Sequence, residues 1–398
     1  MQKPTPSPVR MHPSASRRST FTLVGGALAV GLSACSGLNP VTVTSSGVCP
    51  SELARSSSTV VVTATATSAE PAVGLPASLR SQLRASAVAG QPTCVEIVTP
   101  EGDVQAVDVT PRRSDGQIEN GPNRARKVDQ NLDSIADRLG ALARRDSGLD
   151  LLTVIDQAVR RHPVPGTLVV ISSGVSTGSP VDLRLLGWDL DAVEQAARLH
   201  REGGLPRLEG WRVQFIGLGD VAGRQPRLNP ALRERLQRWW PTFCRAGGAV
   251  SCTVDPELVA TAAPRSHNLV PVVPLPTVTV AEERIVLPNA LLFAYNSAVV
   301  QAGGRSDLAA VVDRARRTGE IVQVVGHTDV ITGTPAANRR LSQRRAVAVA
   351  EYLLELGLAR DQLEKPIGVG SDGASGSRER SDPAQVSRDR KVEITFHH

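Results

Sequence analysis

Short apolar runs rich in β-branched residues recur between Ser56 and Asp255, each separated from the next by a stretch of helical period. The run Leu168-Val169-Val170-Ile171-Ser172-Ser173 has the character of a strand buried on both faces. Similar strand signals lie at 60–64, 94–98, 104–109 and 211–219, and helical patterns lie at 79–88, from Arg124 onward, and at 152–161, 190–200 and 230–240. Alternation of this kind predicts an α/β domain built on an open sheet. At 398 residues the chain is too long for one ordinary core, so a second folded domain is expected, since domains usually run to roughly 100 to 200 residues.

The second domain is read from Ile285 to the C-terminus as strand, helix, strand, helix, strand, strand, an α+β pattern. The β-branched run at 321–325 breaks at Gly326-His327-Thr328-Asp329, which puts Asp329 just beyond a strand end. The helix that follows places Asn338, Leu341 and Arg345 on one face, and Gly357 marks its stop. Between the domains, 259–284 is rich in proline and valine and is expected to be a semi-extended linker rather than a packed element.

The N-terminus sets the compartment. Arg10, Arg17 and Arg18 precede an uncharged stretch at 21–34 that is too short to span a bilayer, for which about 20 apolar residues are needed, but suits a secretory signal. Leu32-Ser33-Ala34-Cys35 resembles the bacterial lipobox, which implies a signal peptide over 1–34, acylation at Cys35, a lipid-anchored linker over 35–55, and attachment to a membrane in the cell envelope. Ser16-Arg17-Arg18-Ser19-Thr20-Phe21 also resembles a twin-arginine signal, and the choice of export route stays open. In an oxidising compartment Cys49, Cys94, Cys244 and Cys252 are disulfide candidates, with three pairings open; a staple between Cys244 and Cys252 would leave Cys49 for Cys94. The cysteine spacings do not suit zinc.

The C-terminal motifs resemble the OmpA C-terminal-like family. They are Leu292-Phe293 with Asn296-Ser297, Val325-Gly326-His327-Thr328-Asp329, Asn338 followed by Leu341-Ser342-Gln343-Arg344-Arg345-Ala346, Ile367-Gly368-Val369-Gly370, and Asp389-Arg390-Lys391-Val392-Glu393-Ile394, all in the family's order. The resemblance implies that 285–398 binds peptidoglycan non-covalently, with Asp329 and Arg345 gripping the zwitterionic end of meso-diaminopimelate in the stem peptide. A planar guanidinium pairs with a carboxylate while a carboxylate receives an ammonium, so opposite charges read opposite charges. Asn338 and Thr328 are expected to add hydrogen bonds, though Asn338 also suits a helix cap. Arg390 and Lys391 are candidate contacts to glycan or peptide.

The central strands over 56–258 resemble the von Willebrand factor A fold. That family's metal site needs a carboxylate-bearing Asp-x-Ser-x-Ser, whereas this chain has Thr63-Ala64-Thr65-Ala66-Thr67, so a domain without an intact metal site and without a cofactor is expected. The strand ends at Thr65 and Ser173 mark the usual ligand crevice of such sheets.

Charge excludes one class of partner. The formal net charge of +6 arises from 45 basic and 39 acidic residues spread along the chain, with no basic block interleaved with aromatics, so nucleic acid is not expected. The sequence therefore reads as a non-enzymatic envelope lipoprotein that tethers a membrane or a protein partner to the wall. The alternative is a wall-linked assembly or sensor factor whose central domain recruits a partner. A peptidoglycan hydrolase ranks below both, because no carboxylate pair, metal cluster or nucleophile elbow accompanies the motifs.

Overall fold

The computed structural model describes residues 59–398 except 114, 163, 258–261, 331–332 and 375–382. The signal region, Cys35 and Cys49 lie outside the described residues.

In chain order the first lobe contains β1 (Thr59–Ala64), α1 (Ala77–Val88), β2 (Cys94–Val98), β3 (Val104–Asp108), α2 (Arg124–Gly140), α3 (Leu151–Arg161), β4 (Thr167–Ile171), α4 (Leu183–Leu186), α5 (Ala192–Arg201), β5 (Arg212–Ile216), α6 (Pro230–Ala246) and β6 (Ser251–Asp255). Its six strands form one sheet in the order β3-β2-β1-β4-β5-β6. All neighbours are parallel except the β2–β3 hairpin. Side chains alternate across the sheet, so consecutive apolar residues feed two different cores. Val61, Leu168, Val170, Val213 and Phe215 pack on one side with residues of α3, α5 and α6. Val62, Val95, Ile97, Val169 and Ile171 pack on the other with Leu79 and Leu83 of α1 and Leu132 and Ile135 of α2. Burial on both faces is why these strands read as continuous apolar runs.

Helix α6 outlasts the helical pattern of the sequence, which ends at Trp240. It continues through Pro241 to Ala246, its last turns buried at Trp239, Trp240, Phe243 and Cys244. Cys244 is bonded to Cys252 and thereby ties the end of α6 to the edge strand β6, rather than closing a simple turn. Cys94 is also disulfide-bonded.

The second lobe comprises β7 (Thr279–Val280), β8 (Arg284–Pro288), α7 (Asn289–Leu292), α8 (Arg305–Thr318), β9 (Ile321–His327), α9 (Pro335–Glu355), β10 (Ile367–Gly370), α10 (Pro383–Asp389) and β11 (Lys391–His397). Its sheet runs β10-β9-β11-β8-β7, with β10 parallel to β9 and the other pairs antiparallel. Val322 and Val324 of β9 and Val392, Ile394 and Phe396 of β11 turn to a core closed by α8 and α9. Helix α9 lies hard against the sheet at Gly326, where a Cβ would come within 2.3 Å of the Ser342 carbonyl oxygen. That close approach fixes the Ser342–Arg345 turn of α9 over the end of β9.

The connection between the lobes is packed, contrary to the semi-extended linker its proline content suggested. Val270 and Val273 are buried in the first lobe's core. Gln225 donates to the Val273 carbonyl at 3.0 Å and accepts from the Val273 N–H at 2.9 Å, and Trp188 Nε1 donates to the Pro274 carbonyl at 2.8 Å. Proline denies this segment a strand ladder, so side chains of the lobe satisfy its backbone instead. Ala290 and Leu291 of α7 belong to the same core as Phe215 and Leu236, so apolar packing runs on from one sheet into the other.

Candidate functional site

The loop after β9 and the first turns of α9 meet in a crevice of about 370 Å³. Thr334 caps α9 by accepting from the Ala337 N–H at 3.2 Å. Asn338 is therefore not the cap: it is buried one turn in, and its Nδ2 donates to the Asp329 carbonyl at 3.0 Å, holding the loop against the helix. Of the residues expected from sequence, Thr328, Asp329, Asn338, Arg345 and Arg390 all line this crevice. Lys391 does not; it pairs with Glu393 at 3.1 Å.

Two of these charges have contrasting surroundings. Asp329 is only 2 % exposed, and its Oδ2 accepts from Arg390 Nε at 2.5 Å. Burial pulls the Arg390 pKa down, but the Asp189 and Asp329 carboxylates outweigh it and leave it above the ordinary value. Arg345 is 6 % exposed; its Nε donates to the Ser297 carbonyl at 2.8 Å and its guanidinium sits 5.2 Å from the Phe293 ring centre. Among the described residues no protein acceptor meets its Nη1 and Nη2. Burial, only partly opposed by Asp189, lowers the Arg345 pKa to about 10, so the side chain is still a cation at neutral pH. Thr328 Oγ1 is likewise buried without a hydrogen-bond partner among the described residues. Exposed Arg340 and Arg344 stand at the mouth.

The sequence comparison adds the family. A model of the OmpA family matches residues 292–388, the segment that contributes this crevice's loop and helix. Residues 292–388 are an OmpA domain. Outer membrane protein 40 of Porphyromonas gingivalis is 36 % identical over 88 residues, which cover 22 % of this chain and 22 % of that protein. Outer membrane protein A of Citrobacter freundii is 26 % identical over 167 residues, covering 39 % of this chain and 69 % of that protein. The solved structure of the cell wall anchor of the T6SS from Pseudomonas aeruginosa is similar at 26 % identity with a TM-score of 0.27, covering 31 % of this chain and 87 % of that one. The chain thus spans about a fifth of the first relative's length.

The OmpA domain does not build its crevice alone. Asp189, from the loop between α4 and α5 of the first lobe, lines it as well, and Arg390 Nη1 donates to the Asp189 carbonyl at 3.3 Å. Behind Asp189 lies Arg235 of α6, 1 % exposed, which donates to the carbonyls of Ala290 at 2.7 Å, Trp188 at 3.0 Å and Phe293. Burial lowers its pKa, partly countered by Asp189. Sequence reasoning missed both residues. In the sequence Arg235 is indistinguishable from Arg233, Arg238 and Arg245 of the same helix, and nothing near Gly187-Trp188-Asp189-Leu190 marks a ligand-binding loop.

A second crevice lies at the strand ends of the first lobe, where Thr65 and Ser173 were expected. It is filled from within. The Glu70 carboxyl accepts from Thr65 Oγ1 at 2.6 Å, Thr67 Oγ1 at 2.8 Å, Ser172 Oγ at 2.9 Å, and the N–H groups of Ser173 at 2.7 Å and Thr67 at 3.0 Å. The space left is about 10 Å³, room for one water at most. Glu70 was not singled out in the sequence, although its place shortly after the threonine-rich strand end was visible there.

Proposed function

We propose that the chain is a cell-envelope lipoprotein that holds peptidoglycan non-covalently, its OmpA domain taking the zwitterionic end of meso-diaminopimelate in a stem peptide. The observation that carries this reading is the Arg345 fork: a buried cation that lines the crevice, oriented by Ser297 and Phe293, with terminal nitrogens unmatched by any described protein acceptor. An unpaired buried charge is costly, and a carboxylate that arrives with its own ammonium offsets that cost without adding net charge. Bidentate pairing selects the carboxylate, and Asp329 supplies negative charge in the same crevice. Lipidation at Cys35 and export belong to the same proposal and rest on the lipobox resemblance.

No enzyme family accompanies the OmpA match, and binding by itself accounts for the site. The test is co-sedimentation of the purified full-length chain with diaminopimelate-containing sacculi. Wild type is expected to bind saturably, and Arg345→Ala and Asp329→Asn, each shown to be folded by circular dichroism, to lose about a hundredfold or more in affinity. Equal binding by wild type and both variants would remove the proposed site.

A further inference from the structure

The charges that line the crevice do not balance. Arg340, Arg344, Arg345 and Arg390 stand against two carboxylates, Asp189 and Asp329. Both carboxylates are already engaged: Asp329 Oδ2 holds Arg390 Nε at 2.5 Å, and the Asp189 oxygens face Arg390 at 4.0 Å and the buried Arg235 at 3.9 Å. Arg340, Arg344 and Arg345 are left without an ion pair among the described residues. In the function proposed above, Arg345 takes the carboxylate of a zwitterion. That end of the ligand brings no net charge and leaves the surplus of cations in place.

Arg340 and Arg344 hold this surplus at the mouth. Both are exposed, and they lie one turn apart on α9, which puts their Cβ atoms about 5–6 Å apart on one face. Like charges at that spacing destabilise a helix, and α9 has no acidic residue from Pro335 to Ala350 to relieve them. The neighbouring arginines are satisfied elsewhere, Arg339 by Asp372 at 2.7 Å and Arg345 Nε by the Ser297 carbonyl at 2.8 Å. An anion bound at Arg340 and Arg344 would offset their repulsion, and a planar guanidinium favours a carboxylate. Both residues line the same cavity as Arg345, so one extended ligand can reach all three.

We infer that Arg340 and Arg344 form a second anion subsite that takes a further carboxylate of the stem peptide, so that the protein selects stems whose carboxyl groups are free acids over amidated stems. This rests on the reading of the crevice as a diaminopimelate site. In a tetrapeptide stem two groups fit by their chemistry, the α-carboxylate of the γ-linked glutamate and the carboxylate of the terminal alanine. Each is an anion when free and neutral as an amide.

The test is calorimetric titration of the full-length chain with synthetic tetrapeptide stems that share an intact meso-diaminopimelate zwitterion. Those two carboxyl groups are left free, amidated one at a time, or both amidated. Wild type is expected to bind the free acid about fivefold or more tighter than the double amide, and the single amides show which carboxylate is read. The double variant Arg340→Gln with Arg344→Gln is expected to bind the free acid and the double amide alike, and to melt at or slightly above the wild-type temperature. Arg340→Lys with Arg344→Lys, which keeps the charge, is expected to recover part of the preference, a rescue that a purely structural role would not produce. If wild type binds free and amidated stems equally, the zwitterion alone accounts for affinity, and the inference fails while the proposed function stands. If the glutamine variant keeps the full wild-type preference, the carboxylate is read elsewhere and the inference fails. If wild type binds none of the stems, the diaminopimelate reading itself is overturned and the inference falls with it.

Discussion

Two crevices at strand ends of the described residues differ in how their polar groups are partnered. At the end of β1 in the first lobe, Glu70 receives three hydroxyls and two backbone N–H groups, and about 10 Å³ of space remains. At the end of β9 in the OmpA domain, about 370 Å³ is open, and the Arg345 terminal nitrogens meet no described protein acceptor, while Thr328 Oγ1 and Asp189 Oδ2 are buried behind the wall without hydrogen-bond partners among the described residues. Buried polar groups are almost always paired, so a cluster of exceptions in one cavity marks where a ligand is expected, and a saturated network marks structure. The same kinds of residue serve opposite ends, and their surroundings decide which.

The largest effect should come from breaking the saturated side. Glu70→Ala would remove the acceptor shared by the Thr65, Thr67 and Ser172 hydroxyls and the Ser173 N–H, leaving buried donors that the Thr65–Ser172 contact can only partly satisfy, and a loss of about 3–5 kcal/mol is expected from denaturant titration. Affinity for sacculi, measured per folded molecule, should not change. If Glu70→Ala is as stable as wild type, the first crevice is not the structural element described, and the contrast between the two collapses.

Arg345 should behave in the reverse way. Its pKa is lowered by burial to about 10, so from about that pH upward the native state binds fewer protons than the unfolded chain, and stability rises with pH there until the unfolded arginine also titrates. Below pH 10 the penalty for holding the charge is present in full, on the order of 3 kcal/mol less the bond to Ser297. Arg345→Met removes the charge and fills the same space above Phe293. It is expected to melt at or above the wild-type temperature at pH 7 while losing wall binding. A clear fall in melting temperature would mean that Arg345 stabilises the free protein and is not held in reserve for a ligand.

Much of this contrast was legible in the sequence, and the missing part has a common cause. The strands of the first lobe were readable because burial on both faces leaves unbroken apolar runs, as in Leu168-Val169-Val170-Ile171. The OmpA crevice was readable because Thr328, Asp329, Asn338 and Arg345 come from one loop and one helix, close in sequence and at helical spacing. Asp189 and Arg235 were not readable: they reach the crevice through tertiary packing of a distant loop and helix, and no periodicity records that. Strand β6 and the end of α6 were lost behind Pro241, Gly247 and Gly248, which look like breaks unless the burial of Trp240 and Phe243 is known. The packed connection was missed for a similar reason, since its backbone bonds go to Gln225 and Trp188 rather than to a neighbour in sequence.

The smallest expected effect is also the sharpest test of the rule that separates the crevices. Thr328 lines the crevice and its Oγ1 is buried without a partner among the described residues, so the hydroxyl costs desolvation in the free protein and would bond a ligand only after the side chain turns toward the crevice. Thr328→Val keeps the shape and removes the hydroxyl. Stability should stay level or rise by about 0.5–1 kcal/mol, whereas affinity for the diaminopimelate stem peptide should fall by about fivefold. The paired control is Thr65→Val in the first crevice, where the hydroxyl donates to Glu70. There the same change of one oxygen for one methyl group should cost about 1–3 kcal/mol of stability and leave binding untouched. If both substitutions act alike, hydrogen-bond saturation does not distinguish a structural crevice from a binding one in this protein.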